Sequence, residues 1–540
     1  MNPKLIAAAS LAAMLSAHTG LAQQSAPPPA SSLFRTADAC MACHNGLTTS
    51  SGEDVSIGLD WRPSMMANAA RDPYWQAAVR REVTDHPKAA AAIEHECSAC
   101  HMPMTRYAAR IAGAKGPVFA HLPVGAAQTP DALLAADGVS CTTCHQIGPD
   151  KLGSRESFTA GFVVDDKTPA GQRRVFGHYD IVPGNARMMR SASSFTPSAA
   201  THLQSSEMCA TCHTLYTHAL GPGGAVLGEL PEQVPFLEWR HSAYRTEKSC
   251  QACHMPVVPE PVPIASVLGE PRPGFARHEF RGSNFFMPRL LNRHAADLGV
   301  VALPQELDGS ARRTLDYLST EAARVSLDRV AVEGGRLVGE VALENLGGHK
   351  LPTAYPSRRS WLHLSVRDAR GTVIFESGAF EPTGRIRGND NDADAAAYEA
   401  HHAEITAQDQ VQIYEAILGD PAGRVTTGLL TGVRYLKDNR LLPRGFDKKT
   451  AEADIAVRGE ATNDPDFAGG GDRVRFAVDV KAAQGPFRVE AELWYQPVAF
   501  RWARNLQAVQ APETTRFVRY YESSASASAT VLARATAETR

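Results

Sequence analysis

The pattern of apolar and polar positions changes near residue 325. Before that point, apolar residues come in short runs interrupted by glycine and proline, which predicts short helices joined by loops. Residues 301–324 lack glycine after Gly309 and place Leu315, Leu318 and Ala322 at helical spacing, so they predict a connecting helix. From 325 to 500 apolar and polar residues alternate, which is typical of strands with one buried face.

Three pairs of alternating segments predict hairpins. Segments 325–332 and 337–343 flank Gly334-Gly335, segments 361–366 and 373–375 flank the turn 368–371, and segments 474–480 and 487–495 form the third pair. Together they predict an antiparallel β-sandwich domain over 325–500. Residues 501–540 contain a low-complexity stretch and are expected to form a C-terminal helix and a loose tail.

The N-terminus has the features of an export signal. Lys4 precedes a largely apolar run from Leu5 to Leu15, which is too short to span a bilayer, and the small residues before Gln23 suit cleavage. We therefore expect a signal peptide over 1–22 and a flexible leader over 23–35. No later stretch reaches about 18 apolar residues, so we expect no integral membrane segment in the mature chain. The predicted location is the periplasm, the cell surface or the medium.

Five copies of Cys-x-x-Cys-His contain every cysteine of the chain. On one helical turn, residues i, i+3 and i+4 share a face, so two thiols can form thioethers to a haem while the imidazole reaches its iron. The spacing predicts five covalently bound c-type haems within a domain spanning 36–300. The cysteines are Cys40, Cys43, Cys97, Cys100, Cys141, Cys144, Cys209, Cys212, Cys250 and Cys253, and the proximal histidines are His44, His101, His145, His213 and His254.

Other uses of paired cysteines fit this pattern poorly. A disulfide framework does not require a histidine after each pair. Structural zinc sites combine two such pairs in one tetrahedron, and five pairs is an odd number. A thioredoxin-like dithiol occurs once, within a βαβ unit.

The sixth ligand of each haem iron also has to be identified, because it determines what the haem can do. A second histidine or a methionine makes a saturated electron-transfer centre, whereas an open position makes a reactive one. Thirteen histidines remain once the five proximal ones and His18 of the signal peptide are set aside from the 19. The sequence context favours His241, His278, His202 and His349 as further iron ligands, the last in a glycine-framed loop between two predicted strands.

Composition narrows the class of protein further. Of the 540 residues 44% are hydrophobic and 21% charged, which is ordinary for globular proteins and excludes a wholly disordered chain. The formal net charge of -3 provides no basic surplus to neutralise phosphates, so we expect no nucleic-acid partner.

The chain resembles exported multihaem cytochromes of the c-552/c-554 type that carry an added C-terminal β domain. The resemblance rests on the five motifs and on the segments 64–75, 137–145 and 348–361. It implies a mostly helical or irregular multihaem cytochrome c domain followed by an antiparallel β-sandwich, with most haems ligated by two histidines. It also implies respiratory electron transfer.

Two functions follow as hypotheses. In the first, a chain of haems carries electrons from a membrane quinol-oxidising module or a soluble cytochrome to a terminal acceptor. In the second, the protein is an oxidoreductase in which one open haem acts on a small nitrogen or sulfur compound. All five motifs end in histidine, whereas ammonia-forming nitrite reductases use a lysine at the catalytic haem, so that particular activity is disfavoured. The sequence leaves open whether the protein is an enzyme.

Overall fold

The computed structural model describes residues 33–539. The predicted signal peptide, 1–22, and residues 23–32 of the predicted leader lie outside the described residues. Within the part that is described, no helix is both long and apolar enough to cross a membrane.

Residues 33–300, called the helical region below, contain short helices joined by loops, as the interrupted apolar pattern predicts. Proline at the first turn starts several of these helices, where its missing N–H costs no hydrogen bond. The helices are α1 Asp38–Met41, α2 Ile57–Trp61, α3 Pro73–Asp85, α4 Ala90–His101, α5 Pro103–Ile111, α6 Pro130–Ala136, α7 Cys141–Cys144, α8 Pro183–Ser193, α9 Ser206–Ala210, α10 Pro235–Arg240, α11 Cys250–His254, α12 Phe286–Arg293 and α13 Ala295–Leu298.

Three small strand pairs brace this region. The first pair is parallel and the other two are antiparallel. Their strands are β1 Arg174–Gly177 with β2 Thr196–Ala199, β3 Leu215–Leu220 with β4 Val226–Gln233, and β5 Val262–Pro263 with β6 Pro271–Arg272.

A single long helix, α14 (Pro304–Glu321), leads out of the helical region. It lies inside the predicted span of 301–324 and buries one side through Leu307, Ala311 and Leu318. The chain then enters its first long strand at Ala323.

The described residues after 322, called the sheet region below, build a seven-stranded and a four-stranded sheet. The larger sheet is antiparallel throughout, and the smaller one has one parallel pair. The strands are β7 Ala323–Glu333, β8 Arg336–Asn345, β9 Arg359–Arg367, β10 Val373–Ser377, β11 Glu404–Ile405, β12 Ile413–Gly419, β13 Val425–Thr426, β14 Arg434–Asp438, β15 Gly471–Asp479, β16 Arg488–Gln496 and β17 Thr530–Glu538; the helices are α15 Asp390–Ala393, α16 Phe500–Asn505 and α17 Pro512–Glu522.

Alternating side chains from both sheets meet in one apolar core. Val341 from β8 and Phe476 from β15 share this core with Leu364 from β9 and Leu493 from β16. The core continues into the helical region through Phe286 and its neighbours on α12. The two sheets and part of the helical region are therefore stabilised by the same buried surface.

Two sequence expectations about the sheets are wrong. Segments 474–480 and 487–495 are strands, but they do not pair with each other: β15 pairs with β8, and β16 lies in the other sheet between β9 and β17. The expected loose tail contains β17, which pairs with β16 along nearly its whole length. The edge of the larger sheet is thus built from the last described residues of the chain.

Candidate haem-binding sites

Each Cys-x-x-Cys-His motif forms a helical turn. The backbone N–H of His44, His145 and His213 donates to the carbonyl of the first cysteine of its own motif, at 2.9–3.0 Å. The other two motifs lie within α4 and α11. This i to i+4 bonding places both thiols and the imidazole of a motif on one side, as the spacing predicts.

Four of the five motif histidines each make a hydrogen bond of the same kind. In each, Nδ1 lies within hydrogen-bonding distance of a backbone carbonyl oxygen from a distant part of the helical region, and because a carbonyl only accepts, Nδ1 must carry the proton. The pairs are His44 with Ile264 at 2.5 Å, His101 with Ala69 at 2.7 Å, His145 with Phe176 at 2.6 Å and His254 with Arg281 at 2.5 Å.

This bond decides which nitrogen can bind a metal. A neutral imidazole with a proton on Nδ1 has its lone pair on Nε2, which is the arrangement of metal-binding histidines whose other nitrogen donates to a carbonyl. Burial lowers the pKa of His101 and of His254 to about 4, and that of His145 moves in the same direction for the same reason. These side chains are therefore neutral near pH 7 with Nε2 free.

Two further histidines face motif histidines at a distance that suits two ligands of one metal ion. The ring centres of His145 and His278 are 6.3 Å apart with planes 21° apart, and those of His254 and His349 are 6.2 Å apart with planes 13° apart. A metal-bound imidazole nitrogen lies about 2 Å from the metal, so two imidazoles on opposite sides of one metal have ring centres about 6 Å apart. Within residues 33–539, these are the histidine pairs that face each other in this way.

The facing histidines show the same protonation pattern as the motif histidines. Nδ1 of His278 lies 3.1 Å from the carbonyl oxygen of Ala276, and Nδ1 of His349 lies 3.0 Å from that of Lys350. Nε2 is thus the nitrogen left to a metal in both. The residues present fit an iron held between Nε2 atoms at the third and fifth motifs.

His202 and His241, the other two expected ligands, are placed differently. Nε2 of His202 lies 2.8 Å from the carbonyl oxygen of Ile147, and Nε2 of His241 lies 3.0 Å from that of Asp447. In both residues the nitrogen that the other histidines leave free carries a proton. The structure brings neither of them opposite a motif histidine.

The thiols of different motifs lie side by side. The thiols of three pairs lie close enough to interact: Cys40 with Cys141, Cys100 with Cys212, and Cys209 with Cys250. Cys144 also acts electrostatically on both Cys209 and Cys212. The fourth motif, 209–213, therefore lies close to the second, third and fifth, and the first motif lies close to the third.

Sequence reasoning did not identify a buried acidic pair beside the second motif. Glu82 and Glu232 are 5% and 6% exposed, and both raise the pKa of Cys97. Burial, opposed by Arg81 and by the N–H groups of Leu429 and Leu430, raises the pKa of Glu82 to about 7. Burial also raises the pKa of Glu232 to about 8, despite a hydrogen bond from Thr217. No sequence signal distinguishes these glutamates from exposed ones.

A second cluster resembles a metal site but does not fit one. His401, Asp464 and Asp472 are buried and close together in the sheet region. The amide groups of Gln412 and Asn439 donate to Nδ1 of His401 at 2.8 and 3.0 Å, and their orientation is set because their oxygens accept backbone N–H groups. Nε2 of His401 therefore carries the proton and donates to Asp464 at 3.1 Å, so no nitrogen lone pair remains for a metal.

Comparison with solved structures finds one similar chain, a penta-heme cytochrome c552 from Thermochromatium tepidum. The two share 16% sequence identity and a TM-score of 0.51, and the similarity covers 95% of this chain and 100% of that one. The chain has a multihaem-cytochrome-like fold. No protein-family model matches the sequence, and no curated protein matches it either. At this level of identity the similarity establishes the fold alone.

We predict that Glu82 makes stability fall as pH rises. Between its usual pKa, near 4.5, and about 7, the folded chain keeps a proton on Glu82 that the unfolded chain has lost, so rising pH favours unfolding across that window. The Glu82→Gln variant lacks this contribution. Between about pH 5 and pH 7.5, the thermal midpoint measured by far-UV circular dichroism should fall by a few degrees more in the wild type than in the variant.

The exposed Glu404 provides the control, since Glu404→Gln should follow the wild type at every pH. Identical pH profiles for the wild type and Glu82→Gln would show that burial does not hold the proton on Glu82.

Proposed function

We propose that this protein is a pentahaem c-type cytochrome that carries electrons in respiration outside the cytoplasm. Its ten cysteines attach five haems by thioether bonds, and His44, His101, His145, His213 and His254 bind the irons. The proposal is supported by the helical geometry of the motifs and by the fold shared with a penta-heme cytochrome. When bound, haem iron supplies one-electron chemistry tuned by its axial ligands and its surroundings.

The hydrogen bond from Nδ1 to a backbone carbonyl is the observation that carries the proposal. It occurs at four motif histidines and at both facing histidines, and each time it leaves Nε2 unprotonated and fixes the ring orientation. Metal-binding histidines in proteins commonly donate their other ring nitrogen to a carbonyl in this way. We therefore assign His278 and His349 as the sixth ligands at the third and fifth motifs.

The thiol contacts indicate how this chain arranges its attachment sites for electron transfer. Since the fourth motif lies close to the second, third and fifth, its haem would be the junction between those three sites, and the first site would join them through the third. The protein's own contribution is to hold these sites in contact and to exclude water around them. The proposed donor is a membrane quinol-oxidising module or a soluble cytochrome, and the proposed compartment is the periplasm.

The number of haems can be counted directly. We predict that the exported, full-length protein has the mass of its processed chain plus five haems, measured by intact mass spectrometry under denaturing conditions. The Cys141→Ser/Cys144→Ser variant should lose the mass of one haem. A mass equal to that of the bare chain, with ten thiols open to alkylation, would disprove the proposal.

The assignment of sixth ligands predicts a difference between two pairs of variants. His278→Ala and His349→Ala should each convert one centre to high spin, seen in the absorption and electron paramagnetic resonance spectra of the ferric protein. His241→Ala and His202→Ala should leave the spectra unchanged, because Nε2 of each donates to a carbonyl. A high-spin signal in His241→Ala but not in His278→Ala would reverse the assignment.

The surroundings of His213 favour the alternative function, an oxidoreductase with one open centre. His213 shares with His44 and His101 the lack of a facing histidine among the described residues. At His213, however, the guanidinium of Arg358 lies near enough to add to the effect of burial in lowering the pKa of the imidazole. Arg358 is held by bonds from Nη1 to Ser283 Oγ at 3.3 Å and to the Thr353 carbonyl at 3.2 Å. A fixed cation beside an unfilled ligand position would attract a small anionic nitrogen or sulfur compound.

Cyanide distinguishes the two functions. An open centre at His213 predicts that cyanide changes the ferric spectrum and that Arg358→Leu weakens cyanide binding about tenfold. Arg187→Leu, at an exposed position, should bind cyanide as the wild type does. A wild-type spectrum that cyanide leaves unchanged would exclude the oxidoreductase and leave electron transfer as the function.

A further inference from the structure

The loop that carries His349 joins two strands of the sheet region, yet it lies against the helical region. It spans residues 346–358, between β8 and β9. Tyr244 Oη donates to the carbonyl of Leu346 at 2.8 Å, and a Cβ at Gly348 would lie 3.3 Å from Trp239 and Tyr244. His349 thus reaches the fifth motif because the loop is packed closely on the residues around α10.

Four buried charges hold this loop in place. Lys350 Nζ donates to Asp438 Oδ2 at 2.7 Å, and Arg440 binds Asp438 through Nη2 at 2.7 Å and Glu238 Oε1 through Nη1 at 3.0 Å. The backbone N–H of Lys350 donates to Glu238 Oε2 at 3.1 Å. The side chains of Lys350 and Glu238 are 0% exposed. We call these four residues, Glu238, Lys350, Asp438 and Arg440, the charge cluster.

The charge cluster joins the two regions directly beside the facing histidine. Glu238 belongs to α10 of the helical region, whereas the other three residues belong to the sheet region. Thr353 Oγ1 also donates to Glu238, at 2.5 Å, so Glu238 binds the loop on both sides of Leu351. Two positive and two negative charges alternate, so removing one member leaves an uncompensated charge in a buried site.

We propose that the charge cluster is a lock that positions His349 at the fifth motif, so that the sheet region serves as the donor of a sixth ligand. This inference rests on the proposed function, in which His349 is that ligand. The four residues are positioning residues, because their side chains bind each other and not His254 or His349. The one direct contact with the ligand is the backbone carbonyl of Lys350, which accepts the hydrogen bond from His349 Nδ1. Without the lock, the loop loses its only buried ionic attachment to α10 among the described residues, and His349 leaves its place opposite His254.

Variants of the full-length holoprotein test the lock by spin state. Lys350→Met removes the charge beside His349, and Glu238→Ala removes the acceptor for the loop. We expect each to raise the high-spin share of ferric haem by about one fifth of the total, one centre in five, and to match His349→Ala in its spectrum. The readouts are electron paramagnetic resonance and the midpoint potentials from a spectroelectrochemical titration.

Lys437→Met is the matched control. Lys437 is also 0% exposed and binds a buried acid, Glu415, at 3.1 Å, but it does not contact the loop. It should lower the thermal midpoint as much as Lys350→Met and leave the high-spin share as in the wild type. Comparing the two separates loss of a buried ion pair from loss of the ligand's position.

Each outcome has one meaning. If Lys350→Met and Glu238→Ala keep the high-spin share of the wild type while His349→Ala raises it, the lock is refuted and the ligand assignment stands. If His349→Ala also keeps the wild-type share, the ligand assignment itself fails. Should Lys350→Met not accumulate, Glu238→Gln keeps the shape and removes the charge; its high-spin signal should rise on warming below the unfolding transition, and no rise would refute the lock.

Discussion

The hydrogen bond between a histidine Nδ1–H and a backbone carbonyl is the interaction on which the candidate sites depend. Each such bond sets the tautomer and the ring plane at once, so Nε2 is presented in one direction without a metal to hold it. The carbonyls come from loops far along the chain, as with Ile264 for His44 and Arg281 for His254. Four of the motif histidines are therefore oriented by segments that lie outside their own motifs, one of which is the strand β1 that carries Phe176.

The sequence predicts the local part of this arrangement and misses the long-range part. The Cys-x-x-Cys-His spacing correctly predicts a helical turn, because i, i+3 and i+4 geometry is a property of five consecutive residues. No local pattern shows that Phe176 offers its carbonyl to His145, since that contact depends on where β1 lies. The same limit explains the strands: β15 and β16 are correctly predicted as strands, but their partners β8 and β9 are chosen by sheet packing and not by nearness in the chain.

The four histidines that the sequence favours as sixth ligands show that local sequence does not predict long-range contacts at the candidate sites either. His202 and His241 each precede a Cys-x-x-Cys-His motif by fewer than ten residues, yet Nε2 of each donates to a backbone carbonyl. His349 lies far beyond the last motif and faces His254 all the same. The feature of the sequence that correctly indicates His349 is the glycine-framed loop around it, because Gly348 allows the backbone to approach Trp239 and Tyr244 closely. The buried glutamates 82 and 232 gave no signal, since burial is set by the whole fold.

The ring nitrogen that carries the proton distinguishes a histidine that can bind a metal from one that serves only in a hydrogen-bond network. His349 and His401 are both anchored to the sheet region, and each lies beside buried acidic groups. Nδ1–H of His349 donates a hydrogen bond to a carbonyl, which leaves Nε2 available to a metal. Nδ1 of His401 instead accepts hydrogen bonds from two amide groups, and its Nε2–H donates to Asp464. The cluster around His401 is thus a network of hydrogen bonds, whereas the imidazoles of His254 and His349, whose ring centres are 6.2 Å apart, have a separation that suits two ligands of one metal. The donors and acceptors around a histidine therefore say more about its chemistry than the number of charged residues near it.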